Sequence, residues 1–235
     1  MIIWAGTSNK DVGMIIEHYP SVIVPERDQV IQEVPGRNGS VVLANGSFKN
    51  YEQQYSAFLD AKRIGGLEQV MPKVMDWLLG HEGYQRLEDS YFPDFYRMAF
   101  YSGGTSFINM FNEYGEGTLT FNCAPEKYYK TGEWPITLSK NQVLLNPSSF
   151  AAYPLIEISG SGSGAITFNS NSMTISDIGT NVTIDTKLHK AYNGVTNRNN
   201  TITGSYENMS LGKSTTITWS GGITGVKITP RWWTI

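Results

Sequence analysis

Leu155-Ile156-Glu157-Ile158-Ser159-Gly160-Ser161-Gly162-Ser163-Gly164-Ala165-Ile166-Thr167-Phe168 sets two β-prone runs on either side of a glycine-serine segment. The flanking runs suit strands, and the central segment has the composition of a turn or short loop. Farther along, Val182-Thr183-Ile184 and Thr215-Thr216-Ile217-Thr218-Trp219 alternate β-branched residues in the same way. Val226-Lys227-Ile228-Thr229 and the terminal Trp232-Trp233-Thr234-Ile235 add two more runs. Short strands separated by turn signals predict an antiparallel sandwich for this half of the chain.

Upstream the pattern changes. Ser21-Val22-Ile23-Val24 and Gln29 to Val34 read as short strands closed by Pro25 and Pro35, and Ser40 to Ala44 resumes as a strand. Between them Asn38-Gly39 favours positive φ, which suits a hairpin connection, and Asn45-Gly46 repeats that device. Tyr51, Tyr55, Ala57 and Leu59 share one face at a period of two. Leu67, Val70, Val74, Trp77 and Leu78 instead recur at spacings of three and four, which predicts one amphipathic helix packed on a sheet. Gly80 is placed to end that helix, and Pro72 suggests that its regular part begins there.

The chain has 235 residues, enough for one large or two small cores. Charged residues crowd the first half and thin out after Gly132, where Ser, Thr, Asn and Gly dominate. The expected division is 1–131 as a first domain, 132–149 as a linker and 150–235 as a second domain. The net charge of -3 lacks the basic footprint of a phosphate-tracking surface. The one cysteine, Cys123, excludes an intrachain disulfide. Met1 to Lys10 lacks a basic region followed by an apolar stretch, so no secretory signal is expected, nor any membrane span.

The residues that carry chemistry fall into no catalytic constellation. The glycine-serine segment has no lysine and precedes a strand, unlike a phosphate loop. His18, His81 and His189 lack partners at ligand spacing, so neither metal nor cofactor is expected. Glu88-Asp89 and Glu113/Glu116 read as solvated carboxylates rather than a glycosidase pair. Gly160-Ser161-Gly162 with Gly164 overlaps a nucleophile elbow only through low complexity. Trp219, Trp232 and Trp233 admit two readings, core or interface residues on one hand and a glycan-stacking or partner-contacting platform on the other. A carbohydrate-binding module for host cell-wall glycans therefore stands as the alternative function.

Four segments carry a resemblance. They are Val34-Pro35-Gly36-Arg37-Asn38-Gly39; Trp77-Leu78-Leu79 with Tyr84 to Asp89 and Pro93 to Ala99; Gly117 to Pro125; and Leu211 to Gly221 with Lys227 to Trp233. In this order and spacing they resemble the distal tail protein (Dit) family of siphophages of Gram-positive bacteria. Lys213-Ser214 stands where that family usually has a Pro-Gly turn. The resemblance implies a mainly β chain: an N-terminal β-sandwich with one packed α-helix plus a C-terminal galectin-like or carbohydrate-module-like β-sandwich. It implies a virion structural protein and not an enzyme, made in the host cytoplasm and carried at the distal end of the tail. Its copies would form a homohexamer ring around a channel for the genome. The expected partners are the major tail (tube) protein and a tail-associated or tail-tip protein, with receptor-binding and tape-measure proteins at the same hub. Neither sequence-specific nucleic acid nor membrane insertion is expected. Arg37 and Asn38, on the proline-glycine turn, are the residues expected at the ring interface.

Overall fold

The computed structural model describes residues 1–62 and 65–235, which fall into two compact units, Met1–Lys127 with Ile235, and Tyr128–Thr234. The first unit runs β1 (Ile2–Trp4), β2 (Thr7–Ser8), β3 (Met14–Ile16), β4 (Arg27–Gln32), β5 (Val41–Phe48), β6 (Tyr51–Asp60), α1 (Leu67–Leu79), β7 (Gln85–Asp89), β8 (Phe95–Phe100), β9 (Phe107–Met110) and β10 (Tyr114–Tyr129), whose last two residues belong to the second unit. The second continues with β11 (Ile136–Thr137), β12 (Gln142–Leu145), β13 (Leu155–Phe168), β14 (Asn171–Ile175), β15 (Asn181–Asp185), β16 (Lys190–Asn193), β17 (Thr196–Asn197), β18 (Ile202–Thr203), β19 (Ser214–Thr229) and β20 (Trp233–Thr234). The fold is mainly β with one α-helix among the described residues. No helix of these residues is long and apolar enough to cross a membrane.

In the first unit the strands follow the order β2-β1-β7-β8-β10-β6-β3, with β9 also paired to β10; β4 and β5 form a separate two-stranded sheet. The predicted period-two face of β6 is buried, and Gln53 joins it with its amide donating to the Ser21 carbonyl at 3.2 Å. Trp4, Tyr55 and Phe121 meet at the centre of this core, with Phe121 5.0 Å from Trp4 and 6.0 Å from Tyr55 between ring centroids. Ser21 to Val24, read as a strand, is irregular backbone with Val22 and Val24 exposed. Pro20 and Pro25 bracket it, and a side chain rather than a ladder partner takes the Ser21 carbonyl.

All five residues of the helical stripe are buried, with Gly80 at the C-cap. The helix begins at Leu67 rather than at Pro72. An interior proline costs roughly 3 kcal/mol by removing one backbone bond. Starting earlier buries Leu67 and Val70, each worth about 1.5–3 kcal/mol, so burial outweighs the break. The Leu67 amide is satisfied from outside the helix by the Asn112 carbonyl at 2.9 Å.

The second unit is one nine-stranded antiparallel sheet system, ordered β11-β19-β13-β15-β16-β17, with β12 on β19 and β14 joining β13 to β18. Residues 132–149, expected as a linker, contribute β11 and β12, and Leu138 and Leu144 lie in this unit's core. The glycine-serine segment is not a loop: it lies inside the single strand β13, where the register against β19 shifts between Ser159 and Gly160 and again between Gly160 and Gly164. Thr215–Trp219 and Val226–Thr229 likewise belong to one strand, β19. At the shift the two backbones come so close that a Cβ on Gly222 would sit 1.7 Å from the Ser161 carbonyl oxygen. Glycine is what allows the ladder to continue through this bulge.

In each unit an aspartate that ends a strand closes the following turn and receives an arginine. Asp89 ends β7; its Oδ1 accepts the Tyr91 and Phe92 amides at 3.0 and 2.8 Å, and its Oδ2 accepts Tyr55 Oη at 3.0 Å and Arg97 Nη1 at 2.6 Å. Arg97 Nε donates to Tyr51 Oη at 3.0 Å, and both charged side chains are buried. Asp185 ends β15; it accepts the Lys187 and Leu188 amides and a two-pronged contact from Arg231 at 2.8 and 2.9 Å. Burial raises the Asp185 pKa, but the Arg231 contact and the two amides more than offset it, leaving the carboxyl below its ordinary value.

Replacing Arg97 with Met leaves Asp89 buried without its cation, so urea unfolding should show a loss of about 3 kcal/mol or more. A lowered folded-state pKa at Asp185 means that its stabilisation is complete above the unfolded-chain value near 4 and is lost as pH falls through the lower folded value. Asp185→Asn should therefore be less stable than the native chain at pH 7, and thermal melts should show the gap closing as the pH drops below about 4.

Candidate assembly surface

The β4–β5 hairpin stands apart from the sheet of its own unit. Its register pairs Val30 with Leu43 and Ile31 with Val42. Successive residues of a strand point to opposite faces, so one face carries Val30 and Leu43 and the other Ile31 and Val42. All four are more than half exposed, at 51–62%. A strand with apolar residues on both faces is the kind normally covered on both sides. An isolated two-stranded hairpin is marginal in water, so this one lacks the layers that its composition calls for.

Arg37 and Asn38 lie in the connection at the tip, residues 33–40, where every residue is exposed. The tight turn is Val34-Pro35-Gly36-Arg37, closed by the Arg37 amide on the Val34 carbonyl at 3.1 Å with Gly36 at φ +80°. Proline followed by a positive-φ glycine is the composition of a type II turn. Asn45-Gly46, read as a second turn, is a bulge inside β5, where the register shifts between Arg27 and Gln29. Asn45 and Ser47 both donate to the Asp28 carboxylate across it, at 3.0 and 3.3 Å.

A second surface lies on the outer face of the first unit's sheet. Glu116 on β10 pairs with Ile108 of β9 on one side and Phe58 of β6 on the other, and Phe58 pairs with Ile15 of β3. These four residues form a row across four strands. Beside it, Glu17, Ser56, Ser106, Ile108, Glu116 and Thr118 line an open cleft of about 340 Å³. Gly117, between Glu116 and Thr118, turns its hydrogen to the other face, where a Cβ would sit 2.7 Å from the Ser106 carbonyl oxygen and 2.9 Å from the Phe107 ring. The sequence marks Glu116 as an ordinary solvated carboxylate; Glu17 bonds through its amide to Ser56, which pairs with Thr118 two residues along β10 from Glu116, so the two acids share the cleft only through distant strands and leave no local signal.

The tryptophans are placed differently from a sugar platform. Trp219 and Trp232 are buried in the second unit's core. Trp233 is half-buried, stacked on Phe150 at 4.7 Å, with its indole N–H donating to the Ala151 carbonyl at 3.0 Å. Their faces fill the protein, so Trp219 and Trp232 offer no flat surface to a pyranose ring. Trp134, which the sequence reading did not single out, is 71% exposed. Burial pushes the Cys123 thiol up to about 12, which keeps it protonated in the first unit's core and poor as a nucleophile. Among the described residues no group of three or more His, Cys, Asp or Glu is placed to hold a metal ion.

No protein-family model and no curated protein sequence matches this chain. Solved structures do match its fold. The crystal structure of the Dit protein of phage SPP1, described as a paradigm of the hub adsorption apparatus in phages infecting Gram-positive bacteria, is similar with a TM-score of 0.77 at 13% identity, over 100% of this chain and 98% of that one. A chain of the phage P2 baseplate in its activated conformation with Ca is similar with a TM-score of 0.47 at 10% identity, over 92% of this chain and 90% of that one, too distant to carry an argument. The likeness to the SPP1 protein extends over the whole chain, which therefore has the fold of a phage Dit protein.

Proposed function

We propose that this chain is a structural protein of a phage tail, a distal hub whose copies close head to tail into a hexameric ring around a channel. The full-length likeness to the SPP1 protein carries this reading. The two-faced apolar hairpin supports it physically. A contact between two different patches of one chain generates a ring when the rotation closes. The hairpin supplies one such patch, and burying its Val30, Ile31, Val42 and Leu43 side chains against a neighbour removes apolar surface that a lone chain leaves in water.

In this reading Arg37 and Asn38 travel at the leading end of the contact. The ring would join the tail tube protein on one side and the tail-tip or tail-associated protein on the other, near the receptor-binding and tape-measure proteins. Its work is mechanical: it holds its neighbours in register and leaves a passage for the genome. No bond is made or broken.

Light scattering of the purified chain should give six times the 26.2 kDa of one copy, with rings in negative-stain images of the same peak. Labelled protein should appear at the distal end of assembled tails, and its consistent absence there would refute the proposal. Val30→Asp with Leu43→Asp should abolish the ring and leave a monomer whose circular dichroism spectrum at low temperature matches that of the native chain, with a lower melting temperature because assembly no longer supports it.

A further inference from the structure

We infer that the receptor for the hairpin tip is the outer-face cleft of the next copy, with Arg37 seated between Glu17 and Glu116. This rests on the head-to-tail reading above and specifies the two surfaces that meet. Both are on the first unit, and each has what the other lacks. Arg37 is a fully presented cation flanked by Pro35, Gly36, Asn38 and Gly39, so no bulky neighbour restricts its approach. The cleft presents two carboxylates, and among the described residues Arg37, Glu17 and Glu116 have no ion-pair partner.

The chemistry of the lining suits a guanidinium better than an ammonium. Arginine carries five N–H donors in a rigid planar fork and no acceptor. Ser56, Ser106 and Thr118 add hydroxyl acceptors around the two carboxylates, so the donors can be met from several directions. Ile108 lies on the cleft's rim, and the row Ile108–Glu116–Phe58–Ile15 continues from it as partly apolar surface. Val34, 41% exposed and held beside Arg37 by the turn that closes between them, would reach that row when Arg37 enters the cleft. Charge fixes the register and the apolar contacts hold it, a division of labour common to protein interfaces.

The occupant is a second copy, since the tip and the cleft complement each other in charge and are both left open by the free chain. An unrelated basic segment entering the cleft is the competing outcome, and the exchange of charges separates the two. Five full-length chains are compared by sedimentation at about 0.1 M salt: the native chain, Arg37→Glu, Arg37→Lys, Glu17→Lys with Glu116→Lys, and Arg37→Glu together with both lysine substitutions. Each half-exchange should weaken self-association on the order of thirtyfold, and the full exchange should restore most of it. Arg37→Lys should recover less than the native arginine, because the point charge lacks the fork. Melting curves check that each variant is folded; all sites lie on the surface, so small shifts are expected.

Rings that survive Arg37→Glu and the double lysine substitution unchanged would overturn the pairing and leave the ring reading standing. Half-exchanges that weaken association with no recovery in the triple variant would assign the cleft to a different cation and also overturn it. A native chain that stays monomeric at every soluble concentration would overturn both readings.

Discussion

Both units depend on the same constraint: a carboxylate taken out of water must have all its acceptor capacity used. Asp89 and Asp185 both accept two amides of the following turn and one arginine guanidinium; Asp89 adds the Tyr55 hydroxyl, and Asp185 takes its arginine on both oxygens. The aspartate stops its strand and shapes the turn, as short acidic side chains do when they bond the backbone two residues on. The arginine then ties that turn to a distant segment, Arg97 on β8 in one case and Arg231 near the C-terminus in the other. Arg231 holds a left-handed φ of +58°, an uncommon conformation for a side chain of its size, and its two contacts to Asp185 hold it there. The helix and sheets are assembled by apolar burial, but these two polar knots fix which segments cross.

What the sequence discloses follows from how local each signal is. The helix stripe of Leu67, Val70, Val74, Trp77 and Leu78 was legible because its period is set by neighbours three and four residues away. The alternation in β6 was legible for the same reason. The glycine-serine stretch of β13 was not, because residues without apolar side chains carry no period, and only pairing with β19 makes them a strand. Ser21 to Val24 misled in the opposite direction: its β-branched side chains favour a strand, but no partner reaches it between two prolines. Of the candidate site, the exposed tip at Arg37 and Asn38 could be read from Pro35-Gly36. The cleft could not, since Glu17, Ser56, Ser106 and Glu116 meet only through the register of four strands. The tryptophans show the remaining gap, because residue type says that a ring buries well and not whether its face is covered by the protein or by something else.

Against this background the β4–β5 hairpin is the element whose composition and surroundings disagree. In the two main sheets one face of the long strands β6, β10, β13 and β19 is buried in a core, and the apolar residues left outside, such as Ile15 and Ile108, are scattered. Here the two strands pair with each other, interrupted by one bulge, and both faces remain open. Such a disagreement, within a sequence otherwise consistent from propensity to packing, is the observation on which the proposed contact between copies rests.

An open hairpin also has a bearing on supply. A free copy carries unpaired strand edges and two uncovered apolar faces, which are as ready to meet a misaligned neighbour as a correct one. The longer copies wait, and the more of them there are, the more of them go astray. In the proposed ring, the timing and dosage of synthesis therefore become part of the structural problem, since every copy not yet seated carries these open edges and faces.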